Sequence, residues 1–210
     1  MQGNGEDHAN DDAAKAAGFA SPFDRAAWFD LLAAHGFAGE GRFDARGAAG
    51  ETAALLPLRI DRSGHFAALA NWYSFAIRPL YTGADRAAAL ADLFRKLRPK
   101  AARLSLYPVR DEEQPAIAAA LRAAGWWVKA APAGDRHWLD LDGSTFDTWW
   151  EDRPGALKNT VKRKAKKGIV DIALFTRFDA EAWAAYEAIY AASWKPEEGN
   201  PALLRAFAEA

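Results

Sequence analysis

The densest run of chemically capable side chains lies between Leu157 and Gly168, where Lys158, Lys162, Arg163, Lys164, Lys166 and Lys167 crowd one stretch. At helical spacing Leu157, Val161 and Ala165 form a narrow apolar stripe. Lys158, Lys162 and Lys166 stand in a row beside it, with Arg163 and Lys167 adjoining. Like charges this close repel, and an anionic substrate, a phosphate-bearing ligand or nucleic acid would relieve them. A solvated helix face, whose last lysines complement the helix dipole, accounts for the same residues. Nucleic acid has the weaker case, because no aromatics interleave and the chain's net charge is −1.

Other reactive groups are sparse. The chain has no cysteine, which removes disulfides and thiolate metal sites. Its histidines (His8, His35, His65, His137) show no ligand spacing, so no metal is expected. The sequence contains no G-x-x-x-x-G-K loop, no G-x-G-x-x-G and no G-x-S-x-G elbow, and no histidine is expected to pair with a nucleophile. Glu112, Glu113, Glu181 and Glu187 are open to general-base work, and context singles out none of them. Nine tryptophans in 210 residues are many; they serve either as core or as the lining of a pocket for an extended ligand.

The elements that must hold these residues are read from apolar spacing. Residues 1–20 are expected to be a disordered tail. A helix follows with Ser21 as cap, Pro22 at its first position, an apolar face of Phe23, Ala27, Leu31 and Leu32, and Gly36 as its end. After a Gly-rich stretch (Gly36 to Gly50), strands are predicted over Thr52–Ile60, Phe66–Tyr73 and Phe75–Leu80, the first two joined by the turn Asp61-Arg62-Ser63-Gly64. A helix with Leu90, Leu93, Phe94 and Leu97 on one face stops at Pro99. Then come a strand over Arg103–Val109, a helix over Asp111–Gly125, and strands over Trp126–Ala131 and Arg136–Leu141. Beyond Ser144, which with Asp147 is placed to cap a short helix, lie the basic helix, a strand over Ile169–Phe175, and a helix bearing Trp183, Tyr186, Tyr190 and Trp194. A last helix opens at Asn200-Pro201.

These elements predict a domain over 21–143 and the beginning of a second over 144–210, which is expected to break off mid-architecture. The hexapeptides Phe23-Asp24-Arg25-Ala26-Ala27-Trp28 and Phe178-Asp179-Ala180-Glu181-Ala182-Trp183 share F-D-x-x-A-W. The match is either chance in an Ala-rich chain or the trace of a tandem repeat. Half the residues are hydrophobic and 26% are charged, but no run approaches the roughly 18 apolar residues of a spanning helix. The polar, acidic residues 1–18 do not make a signal peptide, so the expected compartment is the cytoplasm.

The order helix, three strands, helix, strand, helix, two strands over 21–142 resembles the GCN5-related N-acetyltransferase (GNAT) fold. That resemblance implies an α/β protein of α+β type, with a mixed, mostly antiparallel sheet flanked by helices and followed by the start of a second GNAT-like unit. GNAT proteins hold the acyl-CoA pyrophosphate on a loop of pattern Arg/Gln-x-x-Gly-x-Gly/Ala at a helix N-terminus. The matching residues here are Arg78-Pro79-Leu80-Tyr81-Thr82-Gly83. Arg78 and Gly83 fit, but Tyr81 stands at the middle glycine and Pro79 removes an N–H donor. The loop is therefore expected to be degenerate and non-binding. The basic helix ending in Lys166-Lys167-Gly168, with the segment Tyr186 to Lys195, resembles the second domain of FemAB-like and CelD-like acyltransferases. This resemblance implies an acyl-CoA donor, such as acetyl-CoA, bound downstream of Ala210. It also implies a small-molecule or saccharide amine as acceptor and a role in envelope or exopolysaccharide synthesis. Lys158, Lys162, Arg163, Tyr190, Trp194 and Lys195 are the candidate substrate contacts. The alternative is a GNAT-shaped binding module that uses helix 157–167 to hold an anionic ligand or partner.

Overall fold

The computed structural model describes residues 22–37, 39–132, 134, 143, 145–168, 172–194 and 200–210. It divides into two compact units, Met1–Ala133 with Ala192–Ala210, and Gly134–Ala191. The first unit begins with a 3-10 turn (Pro22–Asp24) and helix α1 (Ala26–Leu31), which continues as a π-helical turn over Leu32–Gly36. Strands β1 (Gly41–Ala49), β2 (Thr52–Ile60), β3 (Phe66–Ala68) and β4 (Leu80–Thr82) precede helix α2 (Arg86–Leu97), strand β5 (Leu104–Ser105) and helix α3 (Gln114–Ala123). Helices α4 (Phe146–Glu151), α5 (Gly155–Ala165) and α6 (Ala180–Ala191) make up the second unit, and α7 (Pro201–Glu209) returns to the first.

The described strands form one mixed, mostly antiparallel sheet in the order β1-β2-β3-β5, with β4 also paired to β2. Only β3 and β5 run parallel, joined through Phe66↔Leu104 and Ala67↔Ser105. Strand β2 shows how alternation builds two cores. Ala54, Leu56 and Leu58 face a cluster with Leu90, Leu93, Phe94, Leu97 and Ile117 of α2 and α3. Leu55 faces the opposite cluster, made with Trp28, Phe29, Leu32, Leu69, Leu80 and Leu203. The sheet is thus covered on one face by α2 and α3 and on the other by α1 and α7. Each fully buried Leu or Phe contributes about 1.5–3 kcal/mol of transfer free energy.

Strand β1 corrects the reading of 36–50 as a Gly-rich connection. Phe43, Ala45, Gly47 and Ala49 turn toward α2, while Arg42 and Asp44 pair at 3.0 Å on the other side, with Asp30 also engaged. Gly47 is there for close approach: a Cβ on it would stand 2.2 Å from the Ala89 carbonyl oxygen and 2.3 Å from the Leu93 nitrogen. Asp92 completes the dock by accepting from the Ala48 amide at 3.0 Å, and Lys96 at 2.7 Å helps hold its carboxyl below the usual range.

Against the expectation that no histidine pairs with a nucleophile, the His65 Nε2 lies 2.9 Å from the Ser105 hydroxyl, because β3 and β5 run side by side, and its Nδ1 lies 3.4 Å from Asp61. The strand expected at Phe75 begins at Leu80, because the chain between β3 and β4 departs from the sheet and meets it through the Ile77–Val109 bridge. Trp126–Ala131 forms no strand; the Trp126 indole donates to the Phe94 carbonyl at 3.1 Å, which draws the segment onto the end of α2. Of the strand expected at Ile169–Phe175, the described part, Ile172–Phe175, is irregular. Thr145, not Asp147, caps α4, exchanging hydrogen bonds with Thr148. The last helix, expected as part of the second unit, packs with α1: Leu203 is fully buried there, and Phe207 meets the Trp28 ring edge-on at 5.3 Å. The tail over 1–20, the Ser21 cap, the strand over 136–141 and Lys195 lie outside the described residues.

In the second unit the helices carry aromatic groups in short stacks. Phe146 lies flat on Trp150 at 5.9 Å, and the Arg153 guanidinium sits 4.6 Å over Trp149. Phe178, Trp183, Tyr186 and Tyr190 form a ladder with centroid separations of 5.1–6.1 Å. Among the described residues of α4, α5 and α6, none is buried.

Candidate functional site

The basic residues are gathered by α5 as their spacing requires. Lys162, Arg163, Lys164, Lys166 and Lys167 are exposed, and among the described residues none of them is ion-paired. Lys158 differs, since its Nζ donates to the Glu151 carbonyl at 2.6 Å and closes the end of α4. Leu157 and Val161 are more than two-fifths exposed, so the apolar stripe beside the lysines is only partly covered. Tyr190 ends the aromatic ladder of α6, whereas Trp194 belongs to the first unit and is 89% exposed. The candidate substrate contacts are therefore divided between the two units.

The segment Arg78–Gly83 is a strand and a turn. Leu80, Tyr81 and Thr82 pair with Leu55, Ala54 and Ala53 of β2. Arg78 donates from Nε and Nη2 to one oxygen of the buried Asp24 carboxylate, at 3.0 and 2.9 Å. The Tyr81 ring is half-buried with the Arg86 guanidinium 5.5 Å over it. Burial, and then the negative charge of Glu113, push its hydroxyl up to about 12, so it stays protonated at neutral pH. Gly83 has φ +84, and a Cβ there would meet the Thr52 hydroxyl at 2.6 Å. That hydroxyl accepts from the Asp85 amide at 3.0 Å, and the Asp85 carboxylate caps α2 through the Ala88 amide. Where a phosphate would sit at this helix N-terminus, a carboxylate is already in place. The loop does not fit an acyl-CoA pyrophosphate.

A second group of residues escaped the sequence reading. Three steps along β2, from Leu58 to Leu55, match twelve on its partner, from Ala68 to Leu80. The excess forms an excursion from the middle of the sheet. Its polar groups are pinned: Asn71 and Ser74 exchange side-chain-to-backbone bonds around a 3-10 turn, and the Trp28 indole donates to the Ser74 hydroxyl at 3.3 Å. Phe75 follows at φ 50 and ψ −46, the centre of a positive-φ γ-turn closed by the Ala76 amide on the Ser74 carbonyl. A bulky residue in that conformation costs on the order of 1–3 kcal/mol; Phe75 is 69% exposed, with its ring 5.6 Å from that of Phe23. Beside it Asp24, Ser74, Phe75, Arg78 and Arg110 line an open crevice with room for about 20 Å³, and a neighbouring one of about 10 Å³ lies behind Phe23 and Phe29. The signal in the sequence was Asn71-x-x-Ser74, a capping pattern inside a run otherwise rich in strand formers.

Among the described residues no group of three or more His, Asp or Glu side chains could hold a metal ion, and no helix is long and apolar enough to cross a membrane. Comparison with protein-family models, with curated proteins and with solved structures yields no match.

Proposed function

We propose that the chain is part of an N-acyltransferase of the GNAT superfamily, FemAB-like or CelD-like, in which the first unit is accessory and does not hold the acyl donor. One observation carries this reading. Antiparallel strands β1, β2 and β3, with β4 also antiparallel to β2, lead through the crossover helix α2 to a strand, β5, that lies parallel beside β3. That strand order supports the GNAT comparison, while the side chains at 78–85 argue against a donor on this unit. The acceptor is an amine on a small molecule or saccharide, and the donor is an acyl-CoA held elsewhere in the assembly.

The reading is tested in two ways. The chain alone, supplied with acetyl-CoA and a panel of amino sugars and amino acids, should release no CoA thiol above background; steady release would remove the accessory role. Reading the gene beyond codon 210 tests the class. A loop of Arg/Gln-x-x-Gly-x-Gly/Ala before a helix is expected, and a full protein without one would sink the assignment.

The unpaired cations of α5 favour a second reading, a binding module for an anionic polymer or partner. Heparin retention that collapses between low and moderate salt, and that is lost on replacing Lys162, Arg163 and Lys166 by Gln, is the outcome this reading requires.

A further inference from the structure

The excursion separates β3, paired to both β2 and β5, from β4, paired to β2, and it meets the sheet through the Ile77–Val109 bridge; irregularities of this kind re-aim side chains. What it aims is specific. Ser74 is saturated by Asn71 and Trp28, and Asp24 is neutralised by Arg78. Arg78 spends Nε and Nη2 on a single Asp24 oxygen, and its Nη1 bonds to none of the described residues. Arg110 closes the other side of the crevice, half-buried, with its guanidinium engaged by no side chain among the described residues. The three charged groups of the crevice therefore leave one positive charge uncompensated. Two guanidinium edges, planar and permanently charged, are the chemistry that recognises carboxylate or phosphate. At the rim the positive-φ turn sets the Phe75 ring against Phe23 at 5.6 Å and leaves the residue 69% exposed. Backbone in that conformation persists where the surroundings over-determine it, as they do here on both flanks.

We propose that this crevice is an oxyanion site: Arg110 and the free edge of Arg78 receive a carboxylate or phosphate, and the Phe75 ring packs against the apolar group that carries it. The site lies wholly within the first unit and stands independently of the acyltransferase reading.

Phenyl phosphate, benzoate and inorganic phosphate, each titrated into the full 210-residue chain and followed by amide NMR, test it. The amides of Ser74, Ala76, Ile77 and Arg110 should move saturably with phenyl phosphate, with benzoate, or with both, and the stronger of the two identifies the oxyanion. Arg110→Gln should weaken that binding at least about tenfold, as expected for loss of a charge-assisted pair, and Arg110→Lys should restore part of it. Phe75→Gly should bring phenyl phosphate down to the affinity of inorganic phosphate. Arg163→Gln, on the basic helix, should change nothing at these amides. Absence of saturable shifts with every probe at millimolar concentration overturns the proposal. So does equal binding by Arg110→Gln, or an equal loss in Arg163→Gln.

Discussion

The two units use similar amphipathic helices to opposite effect. In α2 the spacing of Leu90, Leu93, Phe94 and Leu97 is fully spent, each side chain being buried against the sheet. In α5 the stripe of Leu157 and Val161 is half covered, and in α6 Ile189 is 74% and Tyr186 43% exposed. Ile172 and Leu174, between these helices, are almost completely exposed. Among the described residues the Trp149 and Trp183 indole N–H groups find no acceptor, whereas in the first unit the Trp28 and Trp126 indoles both donate. The lesson is that apolar periodicity predicts a helix but not its stability. Helices of 6–12 residues are marginal in water without a partner surface.

The largest expected contrast is in amide exchange. The amides of Leu90 to Leu97 should exchange only on global unfolding, and those of Lys162 to Ala165 several orders of magnitude faster. Equal protection would erase the distinction between the units. Truncation sharpens it next. Leu93→Ala should destabilise by about 3 kcal/mol, and Gly47→Ala by a similar ~2–3 kcal/mol through the clash with α2. Val161→Ala should change urea unfolding by less than about 0.5 kcal/mol. The Asp24–Arg78 pair comes third. Asp24→Ala strands a half-buried guanidinium and should cost about 2–3 kcal/mol, most of it recovered in the double variant Asp24→Ala/Arg78→Met.

The smallest effect concerns the turn before β3. Asp61 accepts from the Ser63 hydroxyl at 2.6 Å and from the Ser63 and His65 amides, which lowers its pKa to about 2. A carboxyl depressed on folding lends stability above its unfolded pKa and loses it as pH falls through the folded value, here between about 4 and 2. Ser63→Ala should move the Asp61 carboxyl titration, followed by carbon NMR, back toward the ordinary range.

Much of the first unit was legible because its signals are local. Leu90, Leu93, Phe94 and Leu97 mark the face of α2 and Pro99 its stop, Asn200-Pro201 opens α7, and Asp61 to Gly64 spells a turn. Strand β1 was hidden because Gly41, Gly47 and Gly50 read as loop, although Gly47 is in the strand to let a helix approach. The excursion was hidden because Trp72, Tyr73 and Phe75 favour strands, and only the Asn71–Ser74 exchange overrides them. The basic helix could be read along one stretch of chain. The crevice could not, since it is assembled from positions 24, 74–78 and 110, which only the sheet brings together.

The central claim is that the 78–85 segment serves the fold rather than an acyl donor. Thermal unfolding of the chain with and without 1 mM acetyl-CoA tests it most directly. An unchanged midpoint is predicted. A donor site of about 10 μM affinity would add about 2.7 kcal/mol, a rise of roughly 5–10 °C for a chain of this size. Such a rise, abolished by changing Arg78 or Gly83, would contradict the account.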